Sequence, residues 1–305
     1  MKIYFDNVNL NSRSGPNSFG KKLRNSLNKN GHTIKVSPVT NKDHFDVQLS
    51  FISSTNKVAP IVQRLDGIYF NSAQNFNSLN APIKATYDNA SAVIFQSEFN
   101  KKLTEQYFGA KDQDSSFVIH NGTSLSEIEL IKPIENENLD KFSSVWCCAS
   151  SWRPHKRLKE NINYFLEHAD SDACFVIAGA NPDAQLSHPR VFYAGDCTWE
   201  NLISLYKRST TFVHLAWLDH CPNVVVDARA SGCKIVCSST GGTKEIAGKN
   251  SIIIEEDIWD FSPLQLYSPP KIDFSNILSC EKIESEIDIH NVSSMYLDVF
   301  NRVVK

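Results

Sequence analysis

Residues 212–245 read FVHLAWLDHCPNVVVDARASGCKIVCSSTGGTKE, and the order of the parts leaves few folds open. The apolar run 212–218 has the character of a buried strand and stops at an acid, Asp219. His220, Cys221 and Pro222 follow. Pro222 suits the first turn of a helix, where a missing N–H costs nothing. Eight positions after Asp219, on that helix, stands a second acid, Asp227, and Gly232 sits where a left-handed cap would end it. A second buried strand, 234–237, runs into the small-residue turn 238–242 and then Glu245. Such a strand–helix–strand unit gathers polar groups at strand C-termini and at a helix N-terminus, where phosphates and sugars bind.

The rest of the chain repeats this alternation, which implies parallel sheets. Strands are expected at 2–5, 33–36, 47–52, 60–65, 92–95 and 117–119, with helices at 18–30, 80–89 and 98–107. Gly31 closes the first helix. Residues 124–141 are charged, contain Pro133 and have few apolar anchors, and the pattern restarts at 144. Strands are expected at 144–149, 174–178, 190–193 and 252–254, helices at 159–168 and 200–209, and an amphipathic helix at 292–304. Residues 261–275 contain prolines and carry no clear pattern. The expected division is an N-terminal domain at 1–130, a linker at 131–143, a C-terminal domain at 144–290 and a closing helix at 291–305.

The stretch around Asp219 and Asp227 resembles the signature of retaining glycosyltransferase family 4, the glycosyl transferases group 1. The family pattern is an acid, seven residues, a second acid, a Gly-Gly turn (here Gly241-Gly242) and a Glu (here Glu245). The resemblance implies a GT-B fold: α/β, two Rossmann-like doubly wound parallel-sheet domains facing a central cleft, with the closing helix packed back toward the domain junction. It implies that Asp219 holds donor-sugar hydroxyls, that amides around Cys221, Asn223 and Val224 meet the donor, and that Asp227 grips the nucleotide ribose. Both family acids are usually Glu. Asp is one methylene shorter, placing each carboxylate about 1.5 Å nearer its backbone. A shifted substrate and a loss of activity both fit that departure. Each acid also has a plain structural reading, Asp219 as a helix cap and Asp227 as a solvated helix residue. Glu245 could meet ribose or donor, or cap the helix after the turn.

Ser150-Ser151-Trp152-Arg153-Pro154-His155-Lys156-Arg157 follows the first strand of the second domain. Cations fixed at such a strand end would stabilise a diphosphate leaving group as charge develops on it. The resemblance implies that Lys156 is the family lysine. The family arginine falls five or six residues earlier, on Ser150 or Ser151, so Arg153 would have to substitute. A solvated basic loop is the alternative.

The first domain offers weaker signals. Residues 12–21 (SRSGPNSFGK) resemble the family's glycine-containing loop that approaches donor phosphate or acceptor, with Gly15 the best match; a plain turn also fits. Asp66, in Arg64-Leu65-Asp66-Gly67, is a candidate for the acceptor hydroxyl or for a salt bridge to Arg64. Ser97 matches a family serine or caps a helix, and Asn121-Gly122 matches a family turn with a structural role.

Composition narrows the classes. With 305 residues, 41% hydrophobic and 21% charged, the chain can form one large or two medium soluble domains. A net charge of −3 gives no broad pull toward nucleic acid or anionic membrane. No apolar run approaches the ~20 residues a membrane helix needs, and MKIYFDNVNL reads as a first strand rather than a signal peptide. The eight cysteines, among them Cys147, Cys148, Cys174, Cys233 and Cys237, form no CxxC pair and read as structural thiols in a reducing cytosol. The sequon Asn121-Gly122-Thr123 is read as chance. Asp112-Gln113-Asp114 and Asp170-Ser171-Asp172 precede strands and read as turns, so no catalytic metal is expected. No GxGxxG follows the first strand, against a nicotinamide enzyme.

The expectation is a cytoplasmic, metal-independent, retaining glycosyltransferase. It would use a nucleoside diphosphate sugar (UDP- or GDP-linked) as co-substrate and no cofactor, and transfer the sugar to an acceptor hydroxyl on a glycan, lipid-linked or small molecule. No nucleic-acid partner is expected. Monomer and weak dimer are not separated, and a peripheral membrane contact stays open. Two other classes fit the same residues: a non-catalytic sugar-nucleotide-binding or partner module derived from such an enzyme, and a GT-B-like nucleotide-sugar epimerase.

Overall fold

Most inner strands of this chain are buried at every position, among them Val47–Phe51, Ile61–Leu65, Ala92–Phe95, Ala173–Ala178 and Thr211–His214. Strands covered on both faces build parallel sheets flanked by helices. The structure, a computed structural model, describes residues 1–40, 43–180, 182, 185–278 and 285–304. Cys280 and residues 181, 183 and 184 lie outside the described residues.

In chain order the elements are β1 (Lys2–Asp6), α1 (Gly15–Lys29), β2 (Thr33–Val36), β3 (Val47–Phe51), β4 (Ile61–Leu65), α2 (Phe76–Asn89), β5 (Ala92–Phe95), α3 (Glu98–Phe108) and β6 (Ser116–Val118). They continue as α4 (Leu125–Leu130), β7 (Ser144–Ala149), α5 (Leu158–His168), β8 (Ala173–Ala178), β9 (Val191–Gly195), α6 (Trp199–Arg208) and β10 (Thr211–His214). Last come α7 (Asn223–Ala230), β11 (Lys234–Ser238), α8 (Thr243–Ile246), β12 (Ile252–Ile254) and α9 (Ile289–Val304). The alternation expected from the sequence is therefore present. The charged stretch 124–141 holds the short helix α4, and α2 begins at Phe76 with Pro82 inside it.

The chain divides into two compact units. One comprises Met1–Ser124, Phe261–Leu264 and Glu286–Lys305; the other comprises Leu125–Asp260 and Gln265–Ser285. The sheet of the first unit runs β2-β1-β3-β4-β5-β6, parallel throughout. Its core joins Phe19, Leu23 and Leu27 of α1 to Ile289, Val292, Tyr296, Val299 and Phe300 of α9. The Tyr296 and Phe19 rings lie 5.9 Å apart, and Ser26 Oγ meets Ser293 Oγ at 2.9 Å. Gly122 admits this packing, because a Cβ there would stand 2.9 Å from Val292 Cγ2 and 3.2 Å from the Ile287 carbonyl oxygen.

The sheet of the second unit runs β12-β11-β10-β7-β8-β9, again parallel. The chain builds outward from β7 through β8 to β9, then returns to lay β10 on the other side of β7. A crevice opens at the C-terminal ends of the two strands where the winding reverses, here β7 and β10.

Candidate functional site

Beyond β7 the chain makes a short loop and one 3-10 turn, Pro154–Lys156, before α5. Trp152 is buried and its Nε1 donates to the Ala178 carbonyl at 3.1 Å. Arg157 takes a left-handed backbone, φ 53°, at a cost of about 1–2 kcal/mol. Its buried guanidinium forks onto Glu256, Nη1 to Oε1 at 2.8 Å and Nη2 to Oε2 at 2.7 Å, and Nη2 also donates to the Pro270 carbonyl at 2.9 Å. That bidentate pair fixes the loop carrying Lys156.

β10 ends four residues sooner than its apolar run suggests. The Leu215 N–H donates to Asn161 Oδ1 at 2.9 Å, and the Leu215 carbonyl accepts from Arg157 Nη1 at 3.3 Å. Side chains of the α5 region thus take the backbone groups that would have continued the strand. Leu218, at φ 57°, then turns the chain into Asp219.

Lys156 and Asp219 meet here, Nζ to Oδ2 at 2.5 Å. His214, the last residue of β10, places Nε2 3.0 Å from the same oxygen, and the His220 N–H donates to Oδ1 at 3.0 Å. Burial pushes the Asp219 carboxyl up, but the Lys156 charge and the His214 hydrogen bond outweigh it and hold the group well below the usual carboxylate range. Burial, with the Lys156 charge, lowers His155 to about 3. Burial also lowers His214, against the pull of Asp219, and brings His220 to about 4. Three neutral imidazoles therefore surround one ion pair. The His155 Nδ1 is buried without a hydrogen-bond partner, and its ring lies 5.4 Å from that of Tyr267.

The glycine turn is built onto the same acid. The Gly242 N–H donates to the Asp219 carbonyl at 2.7 Å. Gly241, at φ 78°, lies so close that a Cβ would stand 2.8 Å from the Asp219 nitrogen. Across the crevice edge, Gly179 at φ 112° leaves 1.8 Å between a hypothetical Cβ and the Ser150 carbonyl oxygen. Ser151 and Arg153 are exposed on the loop.

α7 starts at Asn223, after Pro222 as the capping residue, so the N–H groups of Asn223 and Val224 belong to the first turn, which has no intrahelical acceptors. The helix ends in a Schellman arrangement. The Cys233 N–H donates to the Ala228 carbonyl and the Gly232 N–H to that of Arg229, both at 3.0 Å, with Gly232 at φ 97°. Cys221 and Asp227 are buried. Asp227 is not the solvated helix residue its sequence position allowed: its Oδ2 accepts from Trp199 Nε1 at 3.0 Å. Glu245 is buried on α8, one turn from Gly242.

In the first unit, Asp66 forms the salt bridge to Arg64, and its Oδ1 also accepts from Gln96 Nε2. The Arg64 guanidinium, fully buried, lies 4.2 Å from the centre of the Phe19 ring and donates through Nη2 to Asn121 Oδ1 at 2.7 Å and through Nε to Tyr296 Oη at 3.2 Å. Burial raises the Asp66 carboxyl even against Arg64, and its Oδ2 is buried without a hydrogen-bond partner. Gly15 is the first residue of α1. Ser97 caps α3, accepting from the Asn100 N–H at 3.0 Å.

His214, Trp199 and Glu256 are the residues that sequence reasoning missed. A histidine inside an otherwise apolar strand was the available signal for His214; Trp199 and Glu256 carry none that pattern or spacing could reveal. Asp112 precedes a 3-10 turn leading into β6, and Asp170 and Asp172 lie just before β8. Among the described residues no group of three or more His, Cys, Asp or Glu side chains is placed to hold a metal ion. No described helix is long and apolar enough to cross a membrane.

Two doubly wound parallel sheets with flanking helices, the second carrying its polar cluster at the switch point, make this an α/β protein of the GT-B fold. Residues 144–262 match the family model "Glycosyl transferases group 1". HepE of Anabaena, solved with UDP-glucose, is similar at TM-score 0.62 and 13% identity over 100% of this chain and 92% of that one. The catalytic domain of starch synthase IV from Arabidopsis thaliana, bound to ADP and acarbose, is similar at TM-score 0.66 and 11% identity over 99% of each chain. A glycosyltransferase from Rickettsia africae aligns at TM-score 0.63 and 14% identity over 100% of this chain and 98% of that one. No curated protein sequence matches the chain.

Proposed function

We propose that the protein transfers a sugar from a nucleoside diphosphate donor to an acceptor hydroxyl, with retention at the anomeric carbon and without a divalent metal. One observation carries this reading: the Lys156–Asp219 pair stands at the switch point of β7 and β10, inside the residues that match the group 1 model. The bond from the anomeric carbon to the phosphate oxygen breaks as the bond to the acceptor oxygen forms on the same face, and the leaving phosphate accepts the acceptor proton. Lys156 is assigned to stabilise the charge that develops on that phosphate. Arg153, Ser151, Gly241, Gly242 and the first-turn amides of Asn223 and Val224 near Cys221 are assigned to the donor diphosphate. Asp227 and Glu245 are assigned to the ribose and Asp219 to a sugar hydroxyl. Gly15 and Asp66 keep the donor-phosphate and acceptor-hydroxyl roles of their family positions.

A metal-free reaction is supported by the placement of the Asp-x-Asp pairs. Both lie on the N-terminal side of their strands, the sheet edge opposite the C-terminal ends where a phosphate would sit.

A thermal-shift screen with UDP, GDP, ADP and CDP and their sugars, with and without EDTA, tests the reading. A ligand at a hundred times its Kd adds about 2.7 kcal/mol, visible as a few degrees. A shift with one diphosphate, indifferent to EDTA, selects the donor for an acceptor search. No shift with any of them sinks the proposal. A non-catalytic binding module is the second reading, favoured by the two side chains already on Asp219 Oδ2; binding without turnover would establish it. Conversion of the donor without any acceptor would mark an epimerase.

A further inference from the structure

We infer that His214 is a positioning residue that holds Asp219 so that its carboxylate meets the donor sugar through Oδ1 alone, at a single hydroxyl. The inference rests on the transferase reading above. A carboxylate offers about four acceptor sites, two on each oxygen. On Oδ2 both are filled, by Lys156 Nζ at 2.5 Å and His214 Nε2 at 3.0 Å. On Oδ1 the His220 N–H at 3.0 Å takes one. One site remains, so a two-hydroxyl grip on the sugar through both oxygens is closed.

His214 suits this task because it cannot move. It is 4% exposed, ends a strand buried at every position, and its ring lies near-parallel to that of Phe212, centroids 6.3 Å apart. An ionised carboxylate only accepts, so the Nε2 that faces it carries the hydrogen. Lys156 carries three ammonium hydrogens, so it can meet a diphosphate with one of them while another stays on Oδ2. His214 and the His220 N–H are the two donors held in place by the fold on a buried acid that is one methylene shorter than Glu.

Two experiments test the assignment. In ligand-free protein labelled with 15N-histidine, NMR should show His214 as the Nε2–H tautomer, with its Nε2 resonance moved by Asp219→Asn. An Nδ1–H tautomer, or a resonance indifferent to Asp219→Asn, overturns the inference. Kinetics with the donor sugar selected by the thermal screen then compare His214→Gln with His214→Leu. The Gln amide nitrogen reaches the place of Nε2, so His214→Gln should keep kcat/KM within about threefold, while His214→Leu loses about tenfold or more with its affinity for the free nucleoside diphosphate unchanged. Equal losses in the two variants, or a parallel fall in diphosphate affinity, reduce His214 to a structural residue. If the native protein transfers no sugar at all, the transferase reading falls with that result, and the tautomer measurement still decides whether His214 holds Asp219.

Discussion

Gly241 lies against the backbone of Asp219 so closely that a Cβ on it would stand 2.5 Å from the Asp219 carbonyl oxygen. The Gly-Gly turn is therefore a wall built onto the first acid, and the two parts of the motif move together. Gly241→Ala has to relieve that contact and hold an L residue at φ 78°. The backbone term alone costs about 1–2 kcal/mol, so Tm should fall by several degrees. Diphosphate affinity should fall with it as Asp219 is displaced. Calorimetry showing native Tm and affinity would contradict the arrangement.

Lys156→Ala should reduce sugar transfer by about 100-fold or more, the size expected when a fixed transition-state donor is lost. His214 and the His220 N–H remain on Asp219, so the circular dichroism spectrum should stay native. Turnover equal to that of the unaltered protein would remove Lys156 from the phosphate role.

Asp227→Ala should act on binding instead. Loss of a hydrogen bond to a charged group costs about 1.5–3 kcal/mol, or about 10- to 150-fold in Kd for the nucleotide. The same change leaves the Trp199 indole N–H without its acceptor, so the tryptophan fluorescence should shift as well. An unaltered Kd would refute the ribose assignment.

In the first unit, Arg64→Leu strips the partner from a buried carboxylate and should destabilise that unit by about 3–5 kcal/mol. Adding Asp66→Leu should restore part of the loss, because the orphaned acid goes with it. A double variant no better than the single one, in urea titrations, would show that Asp66 is not the source of the penalty.

Acid should loosen the second unit through His155. Its folded pKa is lowered to about 3 by burial and by Lys156, against about 6.5 in an unfolded chain. Above about pH 6.5 neither state is protonated and the group contributes nothing. Below that the unfolded chain takes a proton that the folded one refuses, so stability falls with pH down to about 3. Between pH 7 and 5 this single histidine accounts for about 2 kcal/mol. His155→Phe, which can keep the contact with the Tyr267 ring, should flatten the pH dependence by that amount. An unchanged slope would show that His155 does not titrate this way.

The fold was legible because burial wrote itself into the strands. Val47–Phe51 and Ala173–Ala178 are apolar or small at nearly every position, and the helices between them keep a helical period. Element ends were less legible where a side chain from elsewhere intervened. Asn161 and Arg157 ended β10 at His214, and nothing within residues 212–218 could announce them. The motif set Lys156 and Asp219 beyond the C-terminal ends of two strands, but it did not announce the ion pair between them. The partners that define each acid did not follow. Trp199 reaches Asp227 from α6, and Glu256 locks Arg157 from beyond β12. Spacing records neighbours along the chain, while these contacts come from across it.

The last turns of the chain carry a consequence for synthesis. α9 supplies Val292, Tyr296, Val299 and Phe300 to a core whose other members come mainly from α1 and the strands β1 to β5. While a ribosome is still making the second unit, the first lacks these side chains and keeps an apolar face open. The second unit, whose segments end at Ser285, has everything it needs earlier. The part made first is thus the part completed last, and a stop codon shortly after residue 285 would spare the second unit while leaving the first prone to aggregate.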